Sequence, residues 1–263
     1  MRARDLCDLR RRVIACRACP RLVAWRERVA AEKRAAFRSE DYWGAPVPGF
    51  GDPDARLLVV GLAPAAHGAN RTGRMFTGDR SGDWLYRALH RAGFASRPES
   101  TGRDDGLELR EAWITASVRC APPGNRPTPG ERERCRPYLE RELALLGNVR
   151  VIVALGGFSW TSLLRLLEGE GFRVPTPRPR FAHGVELDLE RAGGPGDGRR
   201  RLTLLASYHP SQQNTFTGKL TEEMFDRVWA RAREMGSDAG RRRPSCREPD
   251  PPGFSSSVSS QGS

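Results

Sequence analysis

Short apolar runs rich in valine, leucine and isoleucine alternate with amphipathic stretches along most of this chain. Continuous apolar runs are typical of strands buried on both faces of a parallel sheet, and apolar positions three and four residues apart are typical of helices. The pattern predicts strands at 57–60, 112–118 and 149–155, and helices at 83–92, 131–146, 158–167 and 221–235. Because strands alternate with helices, we expect an α/β fold with three α/β/α layers around a central, mostly parallel four-stranded sheet.

The two ends of the chain depart from this alternation. Residues 5–38 have helical periodicity, broken at 16–20 by a CxxC pair and a proline that suits the first turn of a second helix. From residue 236 onward, apolar side chains almost disappear and Gly, Arg, Pro and Ser dominate. We therefore expect a single domain over 1–235 and a disordered tail over 236–263.

A β-hairpin is predicted late in the domain. Residues 181–189 and 201–206 have strand-like patterns, and a glycine-rich link at 193–198 joins them. Two such runs around a short glycine-rich connection are typical of paired antiparallel strands.

The charge of the chain adds a partner class to this picture. The formal net charge is +12, the pI is about 10.4, and all but two of the 44 cationic side chains are arginine. When cationic side chains neutralise the phosphates of a nucleic acid, counterions are released, and this release dominates the affinity. Nucleic acid is therefore the leading partner. A basic surface that binds nothing is the alternative. The sequence has no apolar run long enough to cross a membrane and no apolar secretory signal, so we expect a cytoplasmic protein. Separately, we expect the protein to be a monomer.

Four of the six cysteines are spaced as a metal site requires: Cys16, Cys19, Cys120 and Cys135. The first two form the CxxC pair, and the other two flank the loop between a predicted strand and the next helix. Four thiolates bind either zinc or an iron–sulfur cluster, and the spacing does not distinguish the two. Four unrelated buried cysteines are the alternative, and Cys7 and Cys246 are interpreted as spare thiols.

The stretch after the first strand has an unusual density of special residues. From Gly61 to Gly82 there are five glycines, one histidine, three arginines and a single acid, Asp79. Open α/β sheets bind ligands at the carboxyl ends of their strands, so we expect an active site here. The motifs GxxxxGKS/T and GxGxxG do not follow this strand, which argues against a P-loop and a dinucleotide site and predicts no nucleotide cofactor.

Three separated groups of motifs resemble those of a known family, the family 5 (type B) uracil-DNA glycosylases. The matching segments are GLAPA at 61–65, HGANRTGR at 67–74, FTGD at 76–79, RCAPPGNRP at 119–127, HPS at 209–211, QNT at 213–215 and TG at 217–218. The resemblance covers residues 1–235. It implies excision of uracil, and of other deaminated bases such as hypoxanthine, from DNA. It also implies a 4Fe–4S cluster on the four spaced cysteines, tying the N-terminal helices to the loop after the second strand.

Base excision sets the chemistry that the residues must supply. The nucleotide has to leave the stack, the sugar becomes cationic and the departing base becomes anionic, so a carboxylate and hydrogen-bond donors are needed on opposite sides. The resemblance implies as catalytic residues Asp79, His209 and Asn125. It implies as base-binding residues Gly61, Leu62, Ala63, Phe76, Asn125 and His209. A neutral His209 imidazole suffices to donate to the base oxygen, and Phe76 offers a stacking face.

Each of these residues also has a plain structural interpretation. Asp79 could cap the following helix, Phe76 could anchor the loop, and Asn125 could form a turn. A lone histidine such as His209 is more often structural. For His67, loop packing and substrate contact are equally good interpretations.

Three positions depart from the pattern of related glycosylases. Where relatives carry an ionisable or amide residue after the strand-end glycine, this chain has Leu62 and Ala63, which moves the chemistry to Asp79. Ala116 stands where the type A enzymes have an asparagine, which is consistent with relaxed base selection.

The DNA-binding candidates are basic and polar residues of the same loops: Arg71, Arg74, Arg126, Ser211, Gln213 and Asn214. Such contacts position DNA rather than read its sequence. Phe216 is a candidate wedge for the vacated position in the stack. The alternative function is a non-enzymatic, basic DNA-binding module with a structural iron–sulfur or zinc site; Asp79 and His209, each in a loop after a strand, argue against it.

Overall fold

The computed structural model describes residues 2–191 and 200–237 and has the expected α/β/α layers. Its helices are α1 (Arg2–Ile14), α2 (Pro20–Glu32), α3 (Ala69–Thr72), α4 (Arg80–Arg91), α5 (Pro129–Leu145), α6 (Gly157–Gly169), α7 (Gln212–Phe216) and α8 (Glu222–Gly236). Its strands are β1 (Phe50–Gly51), β2 (Leu57–Gly61), β3 (Ala112–Ala116), β4 (Val151–Leu155), β5 (Glu186–Arg191) and β6 (Arg200–Ser207). Single 3-10 turns lie at Ala35–Phe37 and Pro123–Asn125. Over the described ranges, no helix is both long and apolar enough to span a membrane.

The strands form one sheet in the order β1-β3-β2-β4-β6-β5. The four central strands β3, β2, β4 and β6 are parallel, which confirms the predicted parallel core, and β1 and β5 pair antiparallel at the two edges. Gly61 is in register with Ala116, and Leu155 with Ser207. The carboxyl ends of the parallel strands therefore meet at one edge of the sheet, and the loops that follow them gather there.

The predicted antiparallel pair of hairpin arms is confirmed as β5 and β6, but the number of strands and the start of the first arm differ from the prediction. The sheet has six strands rather than four, because the two-residue β1 is too short to give a pattern and because both hairpin arms join the sheet. The second arm, β6, is a central strand, and the first arm begins at Glu186 rather than at 181. The ring of Phe181 instead packs 5.9 Å from that of Tyr208. The glycine-rich link at 193–198 lies outside the described residues.

Helices cover both faces of the sheet and divide the core in two. In β2, Leu57 and Val59 pack with residues of α4 and α8, whereas Leu58 and Val60 pack with residues of α5 and α6. Every residue of β2, β3 and β4 is buried. This two-sided burial is the physical reason why these strands are continuous apolar runs in the sequence.

Side-chain caps fix where the main helices begin. Thr128 accepts a hydrogen bond from the Glu131 N–H, and the Glu131 carboxylate accepts one from the Thr128 N–H, which closes a capping box on α5. Arg21 of α2 donates to both oxygens of Glu131 at 2.8 and 2.7 Å. The N-terminal helices are thus tied to α5 by a bidentate ion pair in addition to any metal site.

The end of the fold lies close to where the tail is predicted to start. Thr221 caps α8, with Glu222 and Glu223 in its first turn, and the helix ends at Gly236. Residues 238–263 lie outside the described residues, so the disordered tail stays a prediction.

Candidate active site

A cleft of about 720 Å³ opens at the carboxyl edge of the parallel strands. The loops that follow β2, β3 and β6 line it, as expected for an open α/β sheet. It brings together these predicted residues: Leu62, Ala63, Phe76, Asp79, Asn125, His209, Ser211 and Gln213. The remaining candidates do not line it: Gly61, Arg71, Arg74, Arg126 and Asn214.

Phe76 forms part of the floor of the cleft, directly over the end of β2. A Cβ atom added to Gly61 would lie only 2.6 Å from the Cζ atom of Phe76, so the ring occupies space that any other residue at 61 would fill. Phe76 has a φ of 55°, in the left-handed region that bulky residues avoid. The surrounding loop holds the ring in this costly position, which leaves one of its faces available beside the cleft.

Asp79 caps α4 and also lines the cleft. Its Oδ1 atom accepts a hydrogen bond from the Gly82 N–H at 3.1 Å, so the helix-cap interpretation is confirmed. Its other oxygen lies over Gly68, where an added Cβ would be 2.1 Å from Oδ2. Burial raises the pKa of Asp79 above its usual range, and the hydrogen bonds from Gly82 and Ser81 only partly oppose this effect. A partly desolvated carboxylate held by a helix end suits a proton acceptor, so capping and catalysis are compatible roles.

His209 lies beside Phe76 in the lining of the cleft. It follows β6 at the same sheet edge, and its ring centroid lies 5.9 Å from that of Phe76 with a 32° tilt between the planes. Desolvation lowers the pKa of His209 to about 4, so the imidazole is neutral near pH 7. A neutral imidazole keeps one N–H donor for an acceptor in the cleft.

The segment after His209 is shaped by its own polar residues. The Ser211 side chain caps α7 by accepting from the Asn214 N–H at 3.3 Å, and Asn214 Nδ2 donates to the His209 carbonyl at 2.9 Å. These bonds fix the backbone of His209. Gln213 is exposed and lines the cleft, so of the three it has the most freedom to contact a ligand.

Arg71 and Arg74 do not have the exposed position that was predicted for DNA contacts. Arg71 donates to the carbonyls of His67 and Gly78 at 2.9 Å each and forms an ion pair with Glu40. Its exposed fraction is 9%. These internal partners hold the loop around Asp79 in shape.

Arg74 is buried more deeply, with 6% of its surface exposed. It forms an ion pair with Asp105 and donates to the Ser100 hydroxyl at 2.9 Å. Both arginines are therefore reassigned from phosphate contact to support of the loop, because their guanidinium groups are already engaged inside the protein.

Asn125 and Arg126 follow β3 in the loop that carries Cys120. Asn125 lines the cleft in an exposed turn with a φ of 56°, and its N–H donates to the Pro122 carbonyl at 3.1 Å. The turn interpretation is confirmed, and the side chain nevertheless remains beside the cleft. Arg126 is exposed, and its carbonyl accepts from Arg21 at 3.2 Å.

Part of the cleft wall comes from the N-terminal region and was not predicted. Arg34 and Phe37 line the cleft, and Tyr42 Oη lies 3.1 Å from His67 Nδ1. Desolvation, with Arg34 and Arg71 as further causes, lowers the pKa of His67. No local pattern identifies these residues, since only tertiary packing brings 34–42 to the loop after β2.

The four spaced cysteines line one small pocket together with Tyr138 and Leu22. Three N–H groups approach their sulfur atoms: Arg134 Nε lies 3.4 Å from Cys19, Arg26 Nη1 lies 3.7 Å from Cys120, and the Arg119 N–H lies 3.3 Å from Cys135. As they stand, no three His, Cys, Asp or Glu side chains in 2–191 and 200–237 are arranged to hold a metal ion. Cys7 is exposed on α1, and Cys246 lies outside the described residues.

Known proteins resemble this chain over most of its length. The family described as the uracil DNA glycosylase superfamily matches residues 48–233. A type-5 uracil-DNA glycosylase of Mycobacterium bovis is 56% identical over 234 residues, which are 89% of this chain and 82% of the relative. One from Thermus thermophilus is 54% identical over 84% of this chain and 94% of the relative. A type-4 uracil-DNA glycosylase of Archaeoglobus fulgidus is 30% identical over 63% of this chain and 70% of the relative.

The lowered pKa of His209 predicts an imidazole that stays neutral down to pH 5. Ring-nitrogen NMR, with His209→Gln to assign the signal, should give a titration near pH 4. Because the unfolded chain binds this proton near pH 6.5 and the folded chain only near pH 4, this residue makes the unfolding free energy fall as pH drops through that interval. A titration near pH 6.5 in the folded protein would contradict the desolvated, neutral state.

Proposed function

Because the chain belongs to the uracil-DNA glycosylase superfamily, we propose that it cleaves the bond between uracil and deoxyribose in DNA and leaves an abasic site. The observation that carries the proposal is the convergence of Asp79, Phe76 and His209 in one cleft over Gly61. The type-5 names of relatives at 54–56% identity agree with it.

Asp79 acts on the sugar side of the reaction. As the bond from the base nitrogen to C1′ breaks, its electron pair leaves with the base and positive charge develops on the sugar. The Asp79 carboxylate stabilises that charge and orients a water molecule, whose oxygen bonds to C1′ and whose proton passes to the carboxylate. The raised pKa of Asp79 favours this last step, because a better proton acceptor is a better general base.

Phe76, His209 and the backbone after Gly61 act on the base. The flipped base stacks on the Phe76 ring, and the neutral His209 imidazole donates a hydrogen bond to a base oxygen as negative charge develops there. The N–H groups of Leu62 and Ala63 are further donors, and the Asn125 amide reads a base edge. Backbone donors fit any base with a suitably placed carbonyl, so hypoxanthine is a second substrate.

DNA is held by exposed residues around the cleft rather than by Arg71 and Arg74. Arg126 and Gln213 are the phosphate contacts best placed for this, with Ser211 and Asn214 shaping the same rim. Phe216 is 66% exposed, and the Arg80 guanidinium lies 4.3 Å from its ring centroid. An exposed aromatic beside the cleft suits a wedge that fills the space of the flipped nucleotide.

We propose a 4Fe–4S cluster bound by Cys16, Cys19, Cys120 and Cys135, which line one pocket. Arg26 is only 2% exposed, its Nη1 atom points at Cys120, and its Nε atom has no hydrogen-bond partner. A buried cation needs an anionic partner, and the nearest carboxylate, that of Glu27, is 3.6 Å away and half exposed. Four thiolates around a cluster supply that negative charge. The cluster would join the N-terminal helices to the loop after β3, and the residues of the cleft carry out the hydrolysis.

Purified protein tests the cluster directly. Absorbance near 400 nm with matching iron and sulfide is expected, and Cys120→Ser should lose both, because a thiolate ligand is removed. Cys7→Ser is the matched control and should keep them, since Cys7 is exposed on α1. A colourless protein with stoichiometric zinc would replace the iron–sulfur assignment with a zinc site.

Asp79→Asn tests the proposed function. An asparagine oxygen still accepts the Gly82 N–H and caps α4, so folding is kept while the charge is lost. Single-turnover excision of uracil from single-stranded DNA, followed by alkaline cleavage of abasic sites, should slow by roughly 10²–10⁴-fold. Glu99→Gln, which changes an exposed acid that does not line the cleft, should excise at the normal rate.

Two outcomes would contradict the proposal. Near-normal excision by Asp79→Asn would remove the assigned role of that carboxylate. No strand scission by the wild-type protein on uracil or hypoxanthine substrates, with DNA binding intact, would favour a non-enzymatic binding module.

A further inference from the structure

A second pocket lies beside the cleft, between α5 and α6. Its polar lining consists of three arginines, three hydroxyl side chains and one carboxylate: Ser117, Arg132, Glu133, Arg136, Thr161, Ser162 and Arg165. Ser117 follows the last residue of β3, and its N–H donates to the Gly61 carbonyl at 2.9 Å. The pocket and the cleft therefore open at adjacent strand ends on the same edge of the sheet.

The charges in this pocket are not balanced within the protein. Arg136 lies 3.4 Å from the Glu133 carboxylate and 3.2 Å from that of Glu140. Arg132 and Arg165 form no ion pair with any described residue. Three arginines thus share the pocket with one carboxylate, that of Glu133, and two of them have no ion-pair partner among the residues that the structure describes.

Buried donors point to the same missing partner. Ser117 is 4% exposed and its hydroxyl has no hydrogen-bond partner, although it lines the pocket. The Nε atom of Arg132 is also buried and unpartnered. Buried donors are rarely left unsatisfied, because each costs about 1–3 kcal/mol. One anion with several acceptor oxygens in the pocket would satisfy the hydroxyl, the guanidinium N–H and the excess charge together.

We propose that this pocket binds a backbone phosphate of the DNA strand on one side of the flipped nucleotide, an assignment that rests on the proposed function. A phosphodiester, rather than a free phosphate, is favoured by Phe158, which is 57% exposed and has the Arg132 guanidinium 5.7 Å from its ring centroid. Exposed aromatics beside basic grooves stack on the bases of single strands. The strand would run from the cleft across the end of β3 to α6.

Binding of single-stranded oligonucleotides with one uracil tests the site. In Arg132→Gln/Arg165→Ala, the dissociation constant should rise severalfold, and the slope of log affinity against log salt should fall by about 0.7 for one lost phosphate contact. Ser117→Ala, which removes a neutral hydroxyl, should weaken binding while keeping the slope. Arg141→Ala, an exposed arginine of α5 that does not line the pocket, is the matched control and should change neither.

Truncated oligonucleotides separate a strand phosphate from a free anion. Removing the nucleotides on one side of the uracil should weaken wild-type binding much more than removing those on the other side, and the double variant should lose this asymmetry. Unchanged affinity and slope in the double variant, with wild-type excision intact, would overturn the phosphate site alone. The phosphate site would also be overturned if inorganic phosphate stabilises the wild-type protein against unfolding while the double variant binds DNA as the wild type does. If the wild-type protein itself does not excise uracil from these oligonucleotides, the proposed function is overturned instead.

Discussion

The cleft depends on how closely the loop after β2 packs on the strand it has just left. An added Cβ would lie 2.6 Å from the Phe76 ring at Gly61 and 1.7 Å from the Phe76 carbonyl at Gly82. Phe76 is thereby clamped between the end of β2 and the first turn of α4, with its backbone in the left-handed region. The same contact sets where α4 begins, and therefore where Asp79, its N-cap, presents its carboxylate. One packing constraint therefore positions both the Phe76 ring and the Asp79 carboxylate.

The layers around this loop keep it from relaxing. Asn70 is fully buried in α3 and donates to the Arg26 carbonyl at 3.3 Å, so the active loop is tied to the helix that follows the CxxC pair. Arg71 and Arg74 secure its two sides through Glu40 and Asp105. Strain in the Phe76 backbone of the order of 1–3 kcal/mol is tolerable because so many neighbours over-determine its position. The proposed cluster would stabilise the same framework from the N-terminal side.

The core and the position of the site could be predicted because both follow from short, local stretches of the sequence. β2 and β4 are buried on both faces, so their apolar runs gave bounds within two residues, whereas β1 has only two residues and left no signal. His209 lies two residues after β6 and Asp79 lies in the loop between β2 and α4, and parallel strands bring the loops at their carboxyl ends to one edge. The burial of Arg71 and Arg74, two predicted DNA contacts, could not be foreseen, because their ion-pair partners Glu40 and Asp105 each lie 31 residues away in the sequence. The pocket around Ser117 could not be predicted either, because its residues come from the end of β3, from α5 and from α6, which are distant in the sequence.

The central claim, that the strand-end cleft receives a uracil base against Phe76, is tested most directly by a crystal structure with free uracil bound. Uracil should lie flat on the Phe76 ring, with one carbonyl oxygen within hydrogen-bond distance of the Leu62 or Ala63 N–H and another within reach of His209. Uracil bound elsewhere, or in the cleft with Phe76 and His209 both out of contact, would contradict it.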